Sequence, residues 1–226
     1  KVHRPRLRWV IMANGCPKIM SEAYDTRLAR RLVPPLQRIG LGPNQVTATS
    51  LALALAGSAM MASGQTPWLH FGAGLFIFAR FLDHVDGELA RATGKSSPFG
   101  YYFDYVTGGL SHAALFGCIG IGLADSALGD WAYILGASGA VAALLGMVLN
   151  LELDRAHNLA AGVTVGYPRF GRFDLEDGIY LIAPITWMGW LAPFFVAAGL
   201  GATVYVLWTL GRLLRAMQIP SGPNSD

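Results

Sequence analysis

Six blocks of apolar residues approach the roughly 20 residues that a helix needs to cross the hydrocarbon core of a bilayer. They cover about residues 45–62, 68–89, 99–123, 131–151, 179–190 with an extension back to 175, and 191–210. The last two are separated only by the tight turn between Gly189 and Pro193. Ahead of the first block, SEAYDTRLARRLVPPLQRIG reads as an amphipathic helix, with Leu28, Leu32 and Val33 on one face and arginines on the other. Such a helix lies in the headgroup layer. Pro43 and Asn44 then break the chain before the first span. The predicted fold is all-α: a polytopic membrane protein of six transmembrane helices preceded by an interfacial helix.

Charge supports that layout. Lys1, Arg4, Arg6, Arg8, Lys18, Arg27, Arg30, Arg31 and Arg38 precede the first span, and Arg91 and Lys95 separate the second from the third. Arg155, Arg169 and Arg172 separate the fourth from the fifth, and Arg212 and Arg215 follow the sixth. The other connections, SGQTP, ADSALGD and the Gly189 turn, hold neither Lys nor Arg. Every basic residue except Arg80 therefore falls on one side of a six-span chain. The positive-inside rule assigns that side, with both termini, to the cytoplasm. Residues 1–42 are expected to form a cytoplasmic segment, 43–216 the membrane domain and 217–226 a tail.

Composition narrows the class further. Hydrophobic residues make up 53% and charged residues 14%, against about 25% charged in a typical soluble domain. The opening KVHRPRLRWVIMANGCPK has no apolar core followed by a small-residue cleavage site, so it is not expected to act as a signal peptide. Cys16 and Cys118 are read as reduced. No nucleic-acid motif and no internal repeat is visible.

The candidate chemistry lies in FLDHVDGELARATGKSSPFGYYFDYVTGG, residues 81–109. Asp83 and Asp86 share a helical face at the cytoplasmic end of the second span. Asp104 lies about one and a half turns into the third, which runs back from the same side. Antiparallel neighbours would gather the three carboxylates at one depth. In low dielectric they cannot all stay ionised without a cation, and a divalent ion held through oxygen is the natural guest. The bland alternative pairs these aspartates with Arg80 and Arg91. A cation transporter is disfavoured, because the carboxylates cluster at one end with no polar path through the later spans. Gly87, Ala90 and Gly100 leave room beside the carboxylates, and Arg91 can reach a phosphate.

The spacing reads D-x2-D-G-x2-A-R-x8-G-x3-D-x3-G. It resembles the signature of the CDP-alcohol phosphotransferases, D-x2-D-G-x2-A-R-x8-G-x3-D-x3-D, at seven of eight fixed positions: Asp83, Asp86, Gly87, Ala90, Arg91, Gly100 and Asp104. The upstream PNQVT, with Asn44 and Thr47, is similar to the start of that family's first span. The resemblance covers roughly residues 22–215. It implies transfer of a phosphatidyl or phospho-alcohol group from a CDP-linked donor, CDP-diacylglycerol in the first place, to an acceptor hydroxyl, with release of CMP. It implies Mg2+ or Mn2+, as a metal pair, on Asp83, Asp86 and Asp104. Gly87, Ala90, Arg91, Gly100, Asn44 and Thr47 are implied against the nucleotide and phosphates. It also implies a homodimer among membrane lipids and a small polar acceptor alcohol.

The eighth position is Gly108, where the family places the aspartate assigned as base. Three readings stay open. Another residue serves, with His112 one turn deeper on the stripe of Gly100, Asp104 and Gly108 as the first candidate; His84, Glu176 and Asp177 are weaker ones. Or the acceptor needs little assistance. Or the chain binds donor without transferring it. Arg155, Arg169 and Arg172 flank the expected mouth and suit an acceptor phosphate. Asp174, Glu176 and Asp177 beside them suit an amine or polyol instead.

Overall fold

The computed structural model describes residues 24–156, 169–170 and 173–218, with side chains over 28–156 and 178–217. Seven α-helices account for most of it: α1 (Tyr24–Arg38), α2 (Pro43–Met61), α3 (Thr66–Thr93), α4 (Pro98–Gly122), α5 (Trp131–Ala156), α6 (Ile182–Trp187) and α7 (Leu191–Gln218). Two short strands, β1 (Arg169–Phe170) and β2 (Phe173–Asp174), pair antiparallel and lead into a 3-10 helix over Leu175–Leu181. Helices α4, α5 and α7 are long and apolar enough to cross a bilayer by length and composition, which marks a membrane protein. Helices α2 and α3 have the length but carry more polar residues.

The helix ends follow the local sequence. Pro43 sits in the first turn of α2, where its missing N–H costs nothing, and the Gly42 N–H is taken by Gln45 Oε1 at 2.8 Å. Helix α3 stops at Gly94, whose φ of 66° is left-handed and lets the Lys95 N–H reach the Ala90 carbonyl. Three residues on, Ser97 caps α4 by accepting the Gly100 N–H at 3.0 Å. This compact turn returns the chain to the membrane beside the last turns of α3.

Small residues fix the crossings. A Cβ at Gly72 would lie 2.5 Å from the Gly57 carbonyl, so α2 and α3 touch backbone to backbone. Gly120 and Gly136 do the same for α4 and α5. The core between them is built on Met61, Phe76, Leu115, Ile119 and Phe195. Helix α7 packs along α5, and Tyr205 donates to Asn150 Oδ1 at 3.0 Å across that contact.

Three expectations change in detail. Helices α3 and α4 are consecutive and antiparallel, yet they scarcely touch; α2 packs along both and wedges them apart. The fifth apolar block is part 3-10 helix and part α6, joined to α7 by a turn at Gly189 with φ 78°. That stretch rises only about 23 Å, short of a bilayer core. In α1 the buried face is centred on Ala29 and Val33 against α3, while Leu28 stays 52% exposed. The docking partner, not the α1 pattern alone, decides which apolar side chain is covered.

Candidate active site

The α2 wedge builds the site. The α2 face toward α3 and α4 carries buried Val46, Thr47, Ser50 and Ala54, a stripe at helical spacing whose polar members fall at the level of the aspartates. Asp83 and Asp86 come from α3 and Asp104 from α4, and one carboxylate oxygen from each lies within 4.8 Å of the others. The convergence expected from the sequence is therefore present, although the two helices face each other across a gap.

The three carboxylates differ in surroundings. Asp83 Oδ2 pairs with Arg80 Nη1 at 2.9 Å, and the Ser50 hydroxyl stands 3.3 Å from Oδ1. Asp86 is 6% exposed, and its Oδ2 has no hydrogen-bond partner. Thr47 of α2 stands within hydrogen-bonding reach of the same carboxylate. Asp104 is exposed. A buried carboxylate oxygen without a donor is costly to keep. Three oxygen ligands this close, one of them orphaned, fit a divalent cation.

Of the bland pairings, one forms and one does not. Arg80 holds Asp83, but Arg91 turns to Glu88 instead, with Nη2 at 2.7 Å from Oε1. The other Glu88 oxygen accepts from Arg30 Nε of α1 at 2.8 Å. Glu88 thus ties α1 to the signature arginine. The Arg91 guanidinium lies over Gly87, where a Cβ would stand 3.3 Å from Nη2. Gly100 is similarly close-packed: a Cβ would meet Asn44 Oδ1 at 3.1 Å, which brings the start of α2 onto the start of α4. Ala90, Gly87 and Arg91 lie on the last turns of α3, and Thr47 and Asn44 on the first turns of α2, so all border one end of the gap.

At Gly108 a Cβ would meet nothing within 4 Å, whereas Gly109 is packed against Met147. The eighth signature position opens into space. His112 places Nδ1 at 2.8 Å from the Gly108 carbonyl and sets its ring edge-on to Phe76. A carbonyl only accepts, so Nδ1 carries the proton in that bond and Nε2 is the basic nitrogen. His84 Nδ1 lies 3.0 Å from the Arg80 carbonyl and 3.2 Å from the Tyr180 hydroxyl, which fastens the 3-10 helix to α3.

Arg155, at the end of α5, pairs with Glu152 and stacks over the Tyr102 ring at 5.6 Å. Arg169 lies in β1, whose register sets it opposite Asp174. Arg172 is outside the described residues, as are the side chains of Glu176 and Asp177. Ser50, Glu88, Asp154, Tyr101, Tyr105 and Tyr180 have no expected role from sequence alone. Glu88 stands three residues before Arg91, a pairing visible in the spacing. Asp154, buried on α5, accepts from the Tyr101 and Tyr105 hydroxyls of α4. No local pattern announces that contact.

A helical membrane protein with a carboxylate cluster cradled at one end of its bundle is the class these observations define. Residues 41–209 match the model of the CDP-alcohol phosphatidyltransferases, a family of enzymes, and the chain belongs to that family. It is similar to the archaetidylinositol phosphate synthase of Methanothermobacter thermautotrophicus, 30% identical over 80% of this chain and 84% of that one. The protein of that name from Pyrococcus horikoshii is 28% identical over 76% of this chain and 95% of that one. A bifunctional IPC transferase and DIPP synthase from Rubrobacter xylanophilus is 45% identical over 64 residues, 28% of this chain and 14% of that longer protein. In fold the chain resembles the Mycobacterium tuberculosis phosphatidylinositol phosphate synthase with CDP-DAG bound, at TM-score 0.65 and 19% identity over 83% of this chain and 94% of that one. A second structure of that protein, in complex with manganese and citrate, matches at TM-score 0.61 and 19% identity, over 82% of this chain and 88% of the other.

Proposed function

We propose that this protein transfers a phosphatidyl-type group from a CDP-linked lipid to the hydroxyl of a small polar acceptor and releases CMP. The observation that carries this is the meeting of Asp83, Asp86 and Asp104 within 4.8 Å, with Asp86 Oδ2 buried and unpartnered. These residues would hold Mg2+ or Mn2+, which when bound neutralises charge on the pyrophosphate and on the leaving nucleotide. Arg91, Gly87, Ala90, Gly100, Asn44 and Thr47, at the same end of the bundle, would lie against the nucleotide and phosphates. Arg91 gives up part of its pairing with Glu88 to reach a phosphate, while Arg30 keeps Glu88 neutralised. The relatives that match over most of their length make archaetidylinositol phosphate, so a phosphorylated inositol is the acceptor of first choice. Arg155 and the arginines of the 157–174 segment suit its phosphate.

Gly108 replaces the base of the family signature, and His112 takes that role through Nε2. The bundle is a six-span membrane domain, with the stretch from the 3-10 helix through α6 as its fifth, shortened span. Helix α1 lies in the cytoplasmic headgroup layer, and the domain works as a homodimer with its site toward the cytoplasm. The open space at Gly108 also favours a second reading, a relative that binds donor without transfer. The deciding experiment is CMP release from CDP-diacylglycerol by purified protein in detergent, with Mg2+ or Mn2+ and a panel of polyols, phosphorylated polyols and amino alcohols. Metal-dependent release with one acceptor supports transfer. Retained metal-dependent CDP binding with no release for any pair favours the second reading.

A further inference from the structure

Arg80 is the one basic residue that the one-sided distribution of charge leaves unexplained, and the structure buries it beside the carboxylates. Its side chain is 6% exposed and its partner Asp83 is 12% exposed. A guanidinium at that depth is expensive to bury, and its pairing with Asp83 is what holds it there. Asp83 is engaged by Arg80 at Oδ2, while Ser50, 3.3 Å from Oδ1, donates over a shorter 2.8 Å to the Thr47 carbonyl. Asp86 Oδ2, by contrast, is buried without a hydrogen-bond partner. On the facing helix the position that would supply a fourth carboxylate is Gly108, where a Cβ meets nothing within 4 Å.

These facts set the charge of the site. Three carboxylates and one guanidinium leave two net negative charges, the complement of a single divalent ion. A second divalent ion would lack its carboxylate at Gly108 and would face the Arg80 cation. In a low-dielectric setting such excess positive charge is disfavoured. We propose that the donor-free protein holds a single divalent cation on Asp83, Asp86 and Asp104, with the Arg80 guanidinium standing as a fixed second cation. The inference rests on the metal-binding reading above and departs from the metal pair that the signature implies.

Arg80 is then a positioning residue. It holds Asp83 in one orientation, directs the mobile ion toward Asp86 and Asp104, and supplies positive charge that does not dissociate. Gly108 leaves the site one carboxylate short of the signature, and Arg80 stands on α3 as a buried cation beside the three that remain.

The test uses the full chain in nonionic detergent, stripped with chelator and titrated with Mn2+ in the absence of nucleotide. Bound Mn2+ is counted by equilibrium dialysis, and its low-temperature electron paramagnetic resonance spectrum distinguishes an isolated ion from a coupled pair. The expected result is about one Mn2+ per chain with the spectrum of an isolated ion, lost in Asp86→Asn. About two coupled ions per chain overturn the inference and leave the metal-site reading standing. No Mn2+ above the Asp86→Asn background overturns that reading, and the inference with it. Arg80→Lys should still bind one ion. The double variant Arg80→Gln, Gly108→Asp, checked as folded by size exclusion, should gain a second ion and a broadened spectrum. If the folded double variant still binds one, the role given to Arg80 is wrong.

Discussion

Glu88 stands at a position the signature leaves open, yet its 8% exposed carboxylate joins Arg30 of α1 to Arg91 of the site. Each arginine is more than half exposed, so the two pairs fall between the values of surface and buried bridges. Glu88→Gln should therefore cost about 2 kcal/mol and lower the thermal midpoint in detergent by several degrees. It should also raise the KM for the CDP-linked donor more than it lowers kcat, because Arg91 loses its fixed resting position. An unchanged KM with a lowered midpoint would make Glu88 a structural tether only. Asp86 makes the sharper claim. Asp86→Asn, or chelator added to the native protein, should abolish metal-dependent nucleotide binding; binding that survives both would remove Asp86 from the site. His112→Ala should lower kcat by about 100-fold or more with donor affinity kept, the usual weight of a general base. An undiminished kcat would hand the proton to another group, with His84 next in line.

Helix α2 is the element on which the site depends, because among the described elements it is the one that packs along both α3 and α4. Its approach to α3 allows no side chain at Gly57 or Gly72, where a Cβ would meet backbone at 2.7 Å and 2.5 Å. Gly72→Leu should destabilise the bundle by about 3 kcal/mol or more and should lose bound Mn2+ in parallel, since the wedge sets the gap. Gly108→Ala is the contrast. Its Cβ meets nothing, and alanine in a helix interior is favoured over glycine by about 1 kcal/mol, so this variant should keep or raise stability. Size exclusion and a melt in detergent check both. The carboxylates were legible beforehand because Asp83, Asp86 and Asp104 are placed by short-range periodicity across one tight turn. Helix existence was legible too, since the apolar blocks mark α2, α3, α4, α5 and α7. What the sequence could not show was set by distant partners. The wedge of α2 between consecutive helices, the burial of Val33 rather than Leu28, and the Tyr101–Tyr105–Asp154 clasp all depend on surfaces far away in the chain. The fifth block was misjudged in form because composition does not separate a 3-10 helix from an α-helix.

At the scale of the whole molecule, the proposed cytoplasmic position of the site rests on charge. Arg30, Arg38, Arg91, Lys95, Arg155 and Arg212 lie at the end of the bundle that carries the carboxylates. The opposite turns, around Ser63–Gln65 and Asp125–Asp130, bear no Lys or Arg. Retaining the basic end in the cytoplasm is the cheaper topology for insertion. Under the proposed transfer, it also gives a water-soluble CMP product a direct exit to the side where nucleotides are used. With Cys16 and Cys118 replaced by serine, single cysteines at Gln65, Lys95 and Ala127 report the topology, because all three positions are exposed. In intact cells a membrane-impermeant maleimide should label Gln65→Cys and Ala127→Cys, and should label Lys95→Cys only after permeabilisation. The reverse pattern would set the carboxylates facing outward, away from any cytoplasmic CDP-linked donor, and the transferase reading would fail with the orientation. Labelling of Gln65→Cys alone would instead break the even pairing of α2 with α3 and α4 with α5. In that case the gap between α3 and α4 could not open at the surface that Arg91 and Lys95 share.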